Sequence, residues 1–169
     1  DRVRSLMEVP RVLGDPERDA GIEQLAAQLR EAGAQPTVQR FEARDPGSDD
    51  VYSLQNLYGT IRPEAPHQFV LATHFDVRPW AEEDPNPAIR ASPIPGANDG
   101  TSGVAIVLAL TEVLRDTLPS DVGFTVALFD GEELGRPSGG GYCAGSKALE
   151  ADLSSAPPAM RRAAFGIVL

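Results

Sequence analysis

Three short polar segments carry most of the side chains in this sequence that could hold a metal ion. They are Thr-His-Phe-Asp at 73–76, Gly-Ala-Asn-Asp-Gly-Thr-Ser-Gly at 96–103, and Phe-Asp-Gly-Glu-Glu at 129–133. Each segment follows an apolar run typical of a strand, or lies where a loop turns into a helix. Because sites in open α/β sheets lie at the carboxyl ends of strands, we expect the three segments to meet at one edge of a sheet.

The residue types in these segments are those of a hydrolytic zinc site. Such sites use nitrogen and carboxylate ligands, usually three from the protein, and keep one position open for water or substrate. His74, Asp99 and Glu133 are the candidate metal ligands. Asp76 could orient the His74 imidazole from behind or pack with the loop. Glu132 is the candidate catalytic residue, because one of two adjacent carboxylates can bind the metal while the other moves protons.

Each segment by itself also has an ordinary structural explanation. A histidine after a strand is commonly structural or exposed, Asn98-Asp99-Gly100 is a common turn sequence, and adjacent glutamates usually lie on solvated surface. The functional interpretation is favoured because three independent coincidences would be needed to produce the set, each at the end of a predicted element.

Other chemical motifs in the sequence fail on their spacing. Residues 140–147 lack the Lys-Ser/Thr order of a phosphate-binding loop. Ser102 does not lie in a Gly-x-Ser-x-Gly turn. Cys143 lies in a segment of mostly small residues and has no evident base, so we expect it to be a packed core thiol.

The elements that must position the three segments alternate between strands and helices. This alternation predicts an α/β fold with a mainly parallel central sheet flanked by helices. The stretch 77–95 has no periodicity and is rich in proline and acid, so we expect a long functional surface loop. The predicted helices cover residues 16–32, 102–118 and 146–153, and Asp15 and Gly33 are the expected N-cap and C-terminal stop of the first helix. The predicted strands cover residues 37–43, 54–61, 69–72, 122–129 and 164–169.

Length and composition exclude several classes of protein. With 169 residues, 41% of them apolar, the chain fits one α/β domain of the catalytic type spanning residues 1–169. The net charge of -10 argues against nucleic acid as a partner, since binding to phosphate backbones needs clustered Lys and Arg. No apolar run is long enough to span a membrane. The single cysteine excludes an intrachain disulfide framework.

The sequence resembles the co-catalytic zinc exopeptidases of clan MH, and within them the glutaminyl-peptide cyclotransferase branch. The resemblance runs from about Pro10 to Leu169, with a long glycine-rich gap between the glutamate pair and Gly145-Ser146 that is similar to the cyclase branch. The matching pieces are GDPERDAGIEQLAAQL, QNLYGTIRP, VLATHFD, PIPGANDGTSGVAIVLAL, FTVALFDGEELG and YCAGSKALEADL.

The resemblance implies a role for each candidate residue. Asp99 would be the central ligand, Glu133 a second ligand, and His74 the ligand of the other metal where two are bound, so the complete domain would hold one or two zinc ions. Glu132 would be the general acid/base, and Asp76 would support His74. The resemblance also implies a cis peptide at Asp99-Gly100, peptide substrates with a free N-terminus, and a periplasmic or secreted location.

The sequence departs from the family pattern at its end. The family needs a further aspartate just after the strand that ends here at 165–169, and a later histidine ligand. His67, in a predicted turn, is a poor substitute. We therefore expect the chain to be the N-terminal portion of a longer catalytic domain. This portion alone would bind zinc weakly or not at all and would be inactive.

Three functions are compatible with these observations. The first is a zinc-dependent glutaminyl cyclase that converts N-terminal glutamine to pyroglutamate, and the alternative is a zinc aminopeptidase. The third is a non-catalytic binding module with the same fold. The adjacent Glu132 and Glu133 argue against the module, since a protein without this chemistry has no need of two uncompensated carboxylates at a sheet edge.

Overall fold

The computed structural model describes residues 2–137 and 139–169. Short 3-10 turns lie at Pro87–Ile89, Leu153–Ser155 and Met160–Arg162. The helices and strands, in sequence order, are α1 (Arg2–Met7), α2 (Arg18–Glu31), β1 (Gln35–Arg44), β2 (Val51–Ile61), β3 (His67–His74), α3 (Thr101–Thr117), β4 (Val122–Phe129), α4 (Ala144–Ala151) and β5 (Ala163–Val168).

One five-stranded sheet runs through the molecule in the order β1-β2-β4-β3-β5. The predicted α/β class, with a central sheet flanked by helices, is confirmed. Parallel pairing holds for β4, β3 and β5, whereas β1 with β2 and β2 with β4 are antiparallel, so the sheet is mixed. The physical reason is the connection: the short turn after β1 permits only a hairpin, while the helical crossover between β3 and β4 permits a parallel pair.

The parallel pair β3 and β4 sets the position of the candidate site. Its register pairs His67 with Val122 at one end and His74 with Phe129 at the other, so both strands finish at the same level. The segments that follow the two strands therefore leave the sheet side by side. This is the geometry expected for a site at the carboxyl edge of an α/β sheet.

Apolar side chains on both faces of the sheet hold the helices in place. Alternate residues of a strand point to opposite faces, so Leu71 packs with α2 and α3 while Ala72 packs with α4. The first face carries the larger core, and the second carries a smaller one. Strands β3 and β4 are consequently buried on both faces, as their continuous apolar runs predict.

The ends of α2 show where local sequence signals succeed and fail. Gly33 follows the helix with φ +90, and Ala34 N donates to Leu29 O at 2.9 Å, as expected for a glycine stop. The predicted N-cap is wrong. Asp15 instead forms a turn in which its Oδ1 accepts a hydrogen bond from Glu17 N at 2.8 Å, and the helix begins at Arg18.

In the part of the sequence that the structure describes, no helix is long and apolar enough to span a bilayer.

The close approach of α3 to β3 gives a first testable expectation. A Cβ at Gly103, in the first turn of α3, would lie well inside van der Waals distance of Thr73 Oγ1, next to His74. Gly103→Ala should therefore lower the free energy of unfolding by about 1–3 kcal/mol, the usual cost of overpacking a filled contact. Urea denaturation of the full-length protein measures this loss.

Gly166→Ala is the matched control for that variant. A Cβ at Gly166 would lie 3.7 Å from Val70 Cβ, an ordinary contact, so we expect no loss of stability. Equal losses in the two variants would contradict the proposed tight packing of α3 on β3.

Candidate functional site

The edge of the sheet brings the predicted site residues together. His74 ends β3, Glu132 and Glu133 follow β4, and Asp99 lies just before α3. His74, Glu132 and Glu133 each offer one ligand atom, and these atoms lie within 4.8 Å of one another. Asp99 Oδ1 lies 3.0 Å from His74 Nε2. Side chains from three segments that are distant in sequence therefore meet in one small region, where Asp99 contacts His74 but does not belong to the set of ligand atoms within 4.8 Å.

Asp76 is fully buried and lies between His74 and the turn that carries Glu132 and Glu133. Its Oδ1 accepts a hydrogen bond from Glu132 N at 3.2 Å, and its Oδ2 accepts one from Glu133 N at 2.9 Å. The same Oδ1 lies 3.4 Å from the buried His74 Nδ1, which has no closer partner among the described residues. Asp76 is thus placed to orient both the imidazole and the turn that carries the glutamates.

Asp99 is held by the turn that enters α3. Gly100 adopts φ +79, and a Cβ there would lie 2.7 Å from Asp76 O and 3.2 Å from His74 Cε1, so no side chain fits. The Asn98-Asp99-Gly100 sequence is therefore a turn packed directly on the site. None of the described peptide bonds is cis, so the cis Asp99-Gly100 bond implied by the family resemblance is not found.

The electrostatics of the cluster favour a cation. Burial opposes a charge on His74, but Asp76, Glu132 and Asp99 outweigh it and raise the pKa of this histidine to about 9. Burial also raises the pKa of Glu133, with further contributions from Asp99 and Glu132. An imidazole nitrogen and several carboxylate oxygens converging here are the donor types that zinc takes, so these residues fit a zinc ion.

Arg78 was not identified from the sequence, and its side chain holds Glu133 in place. Its Nη1 donates to Glu133 Oε2 at 3.0 Å and to Glu133 O at 3.3 Å, and the guanidinium also pairs with Glu82. The Arg78 Cζ atom lies 6.0 Å from the centre of the Trp80 ring and 5.7 Å from that of Tyr142. Arg78 therefore ties the long 77–95 loop to a predicted metal ligand.

Arg11 is a second charged residue that sequence reasoning missed. Its side chain is almost completely buried, and it donates to Phe75 O at 2.9 Å through Nη1 and to Thr101 Oγ1 at 2.7 Å through Nη2. These bonds join the end of β3 to the start of α3. Burial lowers the pKa of Arg11, and Asp76 opposes that shift.

A third missed feature is the buried ion pair of Asp130 and Arg18. Burial raises the pKa of Asp130 to about 6 despite the nearby Arg18 charge. Asp130 Oδ2 accepts a hydrogen bond from Gln55 N at 2.7 Å, and Asp130 N donates to Asn56 Oδ1 at 3.0 Å. The pair fixes the first residue after β4 to α2 and β2, two positions before Glu132.

Cys143 differs from the packed core thiol that its small neighbours predict. The thiol group is half-buried and lines a cavity of about 470 Å³ together with His74, Asp99 and Glu132. Its Sγ donates to Glu132 Oε1 at 3.3 Å. Burial and the Glu132 carboxylate raise the pKa of the thiol, which keeps it protonated. No local sequence signal reports this contact, because residues 132 and 143 meet only through the fold.

A sequence model of the family described as peptidase family M28 matches residues 56–167, about two thirds of the chain, and this range includes all five candidate site residues. The chain belongs to peptidase family M28. The resemblance to zinc exopeptidases that include glutaminyl cyclases is therefore confirmed at the level of family and fold.

Solved structures similar to this M28 protein include bacterial proteins described as a glutaminyl cyclase, a leucine aminopeptidase precursor and a Zn-dependent exopeptidase. Glutaminyl cyclase of Bacteroides thetaiotaomicron, bound to N-acetylhistamine, has a TM-score of 0.86 and 28% identity over 99% of this chain and 58% of that chain. A leucine aminopeptidase precursor from the same organism has a TM-score of 0.86 and 28% identity, over 99% of this chain and 59% of that chain. A Zn-dependent exopeptidase from Parabacteroides distasonis has a TM-score of 0.84 and 25% identity, over 99% and 58% respectively. The chain thus spans less than two thirds of the length of these structures.

The buried pair beside the site supports a test of stability. Arg18→Met leaves the Asp130 carboxylate buried without a counter-charge, so we expect a loss of about 3 kcal/mol in the free energy of unfolding at pH 8. The loss should be smaller at pH 5, because Asp130 can then be protonated in the folded state.

Arg30→Met is the matched control for this pair. Arg30 Nη2 lies 3.8 Å from Glu23 Oε2 with both side chains exposed, and such surface pairs contribute about 0–1 kcal/mol. Urea denaturation of the full-length variants measures both losses. A loss at Arg18 no larger than that at Arg30 would contradict the structural role assigned to Asp130.

Proposed function

We propose that the full-length protein is a zinc-dependent glutaminyl cyclase, which converts the N-terminal glutamine of peptides to pyroglutamate. The observation that carries this proposal is the convergence of the His74, Glu132 and Glu133 ligand atoms within 4.8 Å at the carboxyl ends of β3 and β4. Membership of family M28 and 28% identity to a bacterial glutaminyl cyclase support it.

Under this proposal His74, Asp99 and Glu133 hold zinc, while Asp76 and Arg78 keep two of these ligands in place. Asp76 lies behind the His74 ring and accepts from Glu133 N, and Arg78 donates to the Glu133 carboxylate. Bound zinc would act as a Lewis acid that polarises the carbonyl of the substrate. Rigid positioning of ligands by their neighbours is typical of such sites.

Glu132 moves the proton in the proposed reaction. The α-amine nitrogen of the N-terminal glutamine attacks the δ-carbonyl carbon of the same residue and forms the ring C–N bond. Glu132 accepts the proton released by that amine. The original amide C–N bond at the δ-carbon then breaks, and Glu132 gives the proton to the departing nitrogen, so that ammonia leaves. The atoms balance without any further reactant.

A second candidate is a zinc aminopeptidase. The leucine aminopeptidase precursor is as similar to this chain as the glutaminyl cyclase, with the same TM-score and identity. In this reaction Glu132 would take its proton from water instead of from the substrate amine. Both reactions use one set of residues and one substrate class, peptides with a free N-terminus.

Parallel assays of the full-length protein separate the candidates. One assay follows ammonia release from a glutaminyl peptide, and the other follows chromophore release from a leucyl substrate. We expect cyclisation of the glutaminyl peptide and no cleavage of the leucyl substrate. Leucyl cleavage without cyclisation would replace the cyclase with the aminopeptidase, and inactivity in both assays with no bound zinc would indicate a non-catalytic binding module.

The role of Glu132 gives a specific expectation. Glu132→Gln removes the group that carries the proton, so kcat should fall by about 100-fold or more, the usual contribution of a general acid/base. Bound zinc, measured by elemental analysis, should stay at the wild-type level because Glu132 is not assigned as a ligand. Glu150→Gln, at an exposed position of α4, is the control and should keep wild-type kcat. A Glu132→Gln variant with wild-type kcat would refute the assignment.

A further inference from the structure

The start of α4 is attached directly to the turn that carries Glu132. Cys143 N donates to Glu132 O at 3.1 Å, Ala144 N donates to Gly131 O at 3.1 Å, and Gly145 N donates to Asp130 O at 2.8 Å. A Cβ at Gly145 would overlap Asn56 and Asp130, so the two segments approach as closely as a backbone permits. This ladder fixes the Cα of Cys143 beside the Glu132 side chain.

The backbone of Cys143 has a conformation that glycine adopts without cost. Its φ is 60 and its ψ is 37, the left-handed region, which is unfavourable for a residue with a Cβ. The nearby Gly140 and Gly141 also have positive φ values, 71 and 90. A thiol side chain is nevertheless present at position 143, and the contact it makes there is with Glu132. Strained residues of this kind are concentrated at functional sites.

The contact of that thiol is specific. Cys143 Sγ lies 3.3 Å from Glu132 Oε1, and among the described residues it is the only group that donates a hydrogen bond to the Glu132 carboxylate. The other oxygen, Oε2, receives no hydrogen bond from the part of the sequence described here. Both residues line the same cavity of about 470 Å³ as His74 and Asp99.

We infer that Cys143 is a positioning residue, whose S–H group holds Glu132 Oε1 and thereby leaves Oε2 free to accept and return the proton of the substrate. The inference rests on the proposed role of Glu132 in catalysis. It assigns no metal ligand and no nucleophile to the thiol. The strained backbone is the structural cost of placing a donor at this point of the cavity.

Three variants of Cys143, compared with the wild type, separate the effect of the thiol from the effect of the backbone conformation. Cys143→Ala removes the donor and keeps the Cβ, Cys143→Gly removes the donor and relieves the left-handed strain, and Cys143→Ser keeps a donor. We expect kcat to fall about tenfold in both Ala and Gly variants, with KM and bound zinc unchanged, because supporting contacts commonly contribute this much. The Ser variant should retain most of the wild-type kcat.

A purely structural role predicts a different order. In that case the Gly variant would be the most stable and at least as active as the wild type, and the Ser and Ala variants would behave alike. Either result would overturn the inference. Loss of kcat in step with loss of thermal stability across the series would overturn it as well.

A spectroscopic measurement tests the hydrogen bond without any activity. The S–H stretching band lies in an infrared window free of other protein absorption and moves to lower frequency when the thiol donates a hydrogen bond. The difference spectrum between wild type and Cys143→Ala assigns the band, and we expect it to move to higher frequency in Glu132→Ala. A band that Glu132→Ala leaves in place would refute the contact. If the band moves but the wild type is inactive on glutaminyl and leucyl substrates, the proposed function fails and the contact stands.

Discussion

The buried carboxylate of Asp76 is the link on which the geometry of the site depends. It lies between the His74 imidazole and the backbone N–H groups of Glu132 and Glu133, and so couples the segment after β3 to the segment after β4. This link is possible because the parallel register ends both strands at the same level. Arg11, which is itself buried, joins the same region to the first residue of α3. The carboxyl edge of the sheet is therefore one connected unit.

Concentrating carboxylates in this way is unfavourable unless positive charge is near. Like charges disfavour each other's ionisation, and burial adds to that effect. The protein places Arg78 on Glu133 and Arg18 on Asp130, while Glu132 and Asp99 receive no arginine in the described residues. The His74 imidazole responds with a pKa raised to about 9. A divalent cation would relieve the remaining repulsion, which explains in physical terms why this cluster suits a metal ion.

Much of the fold could be predicted from the sequence because its signals are local. The boundaries of β4 agree with its apolar run, and α3 agrees with its predicted range within one residue at each end. The antiparallel pairing of β2 with β4 could not be predicted, since strand order depends on long-range packing. Among the site residues, His74, Asp99, Glu132 and Glu133 were identified by type and by their position after predicted elements, and their chemical roles remain predictions.

The residues that sequence reasoning missed share one property. Arg11, Arg18, Arg78 and Asp130 act through partners far away in the sequence, and nothing in their immediate neighbours reports those partners. Cys143 is the clearest case: its small neighbours predict a core thiol, while the fold turns it toward Glu132. Burial of a charge or strain of a backbone becomes visible only in three dimensions.

We propose that this cluster binds zinc through His74, Asp99 and Glu133. The most direct measurement is anomalous X-ray scattering at the zinc absorption edge from crystals of the full-length protein grown with zinc. We expect a strong anomalous peak within bonding distance of Glu133 and of at least one of His74 and Asp99, with Glu132 beside it. A zinc peak that lies only on other surface carboxylates, with this cluster empty, would contradict it.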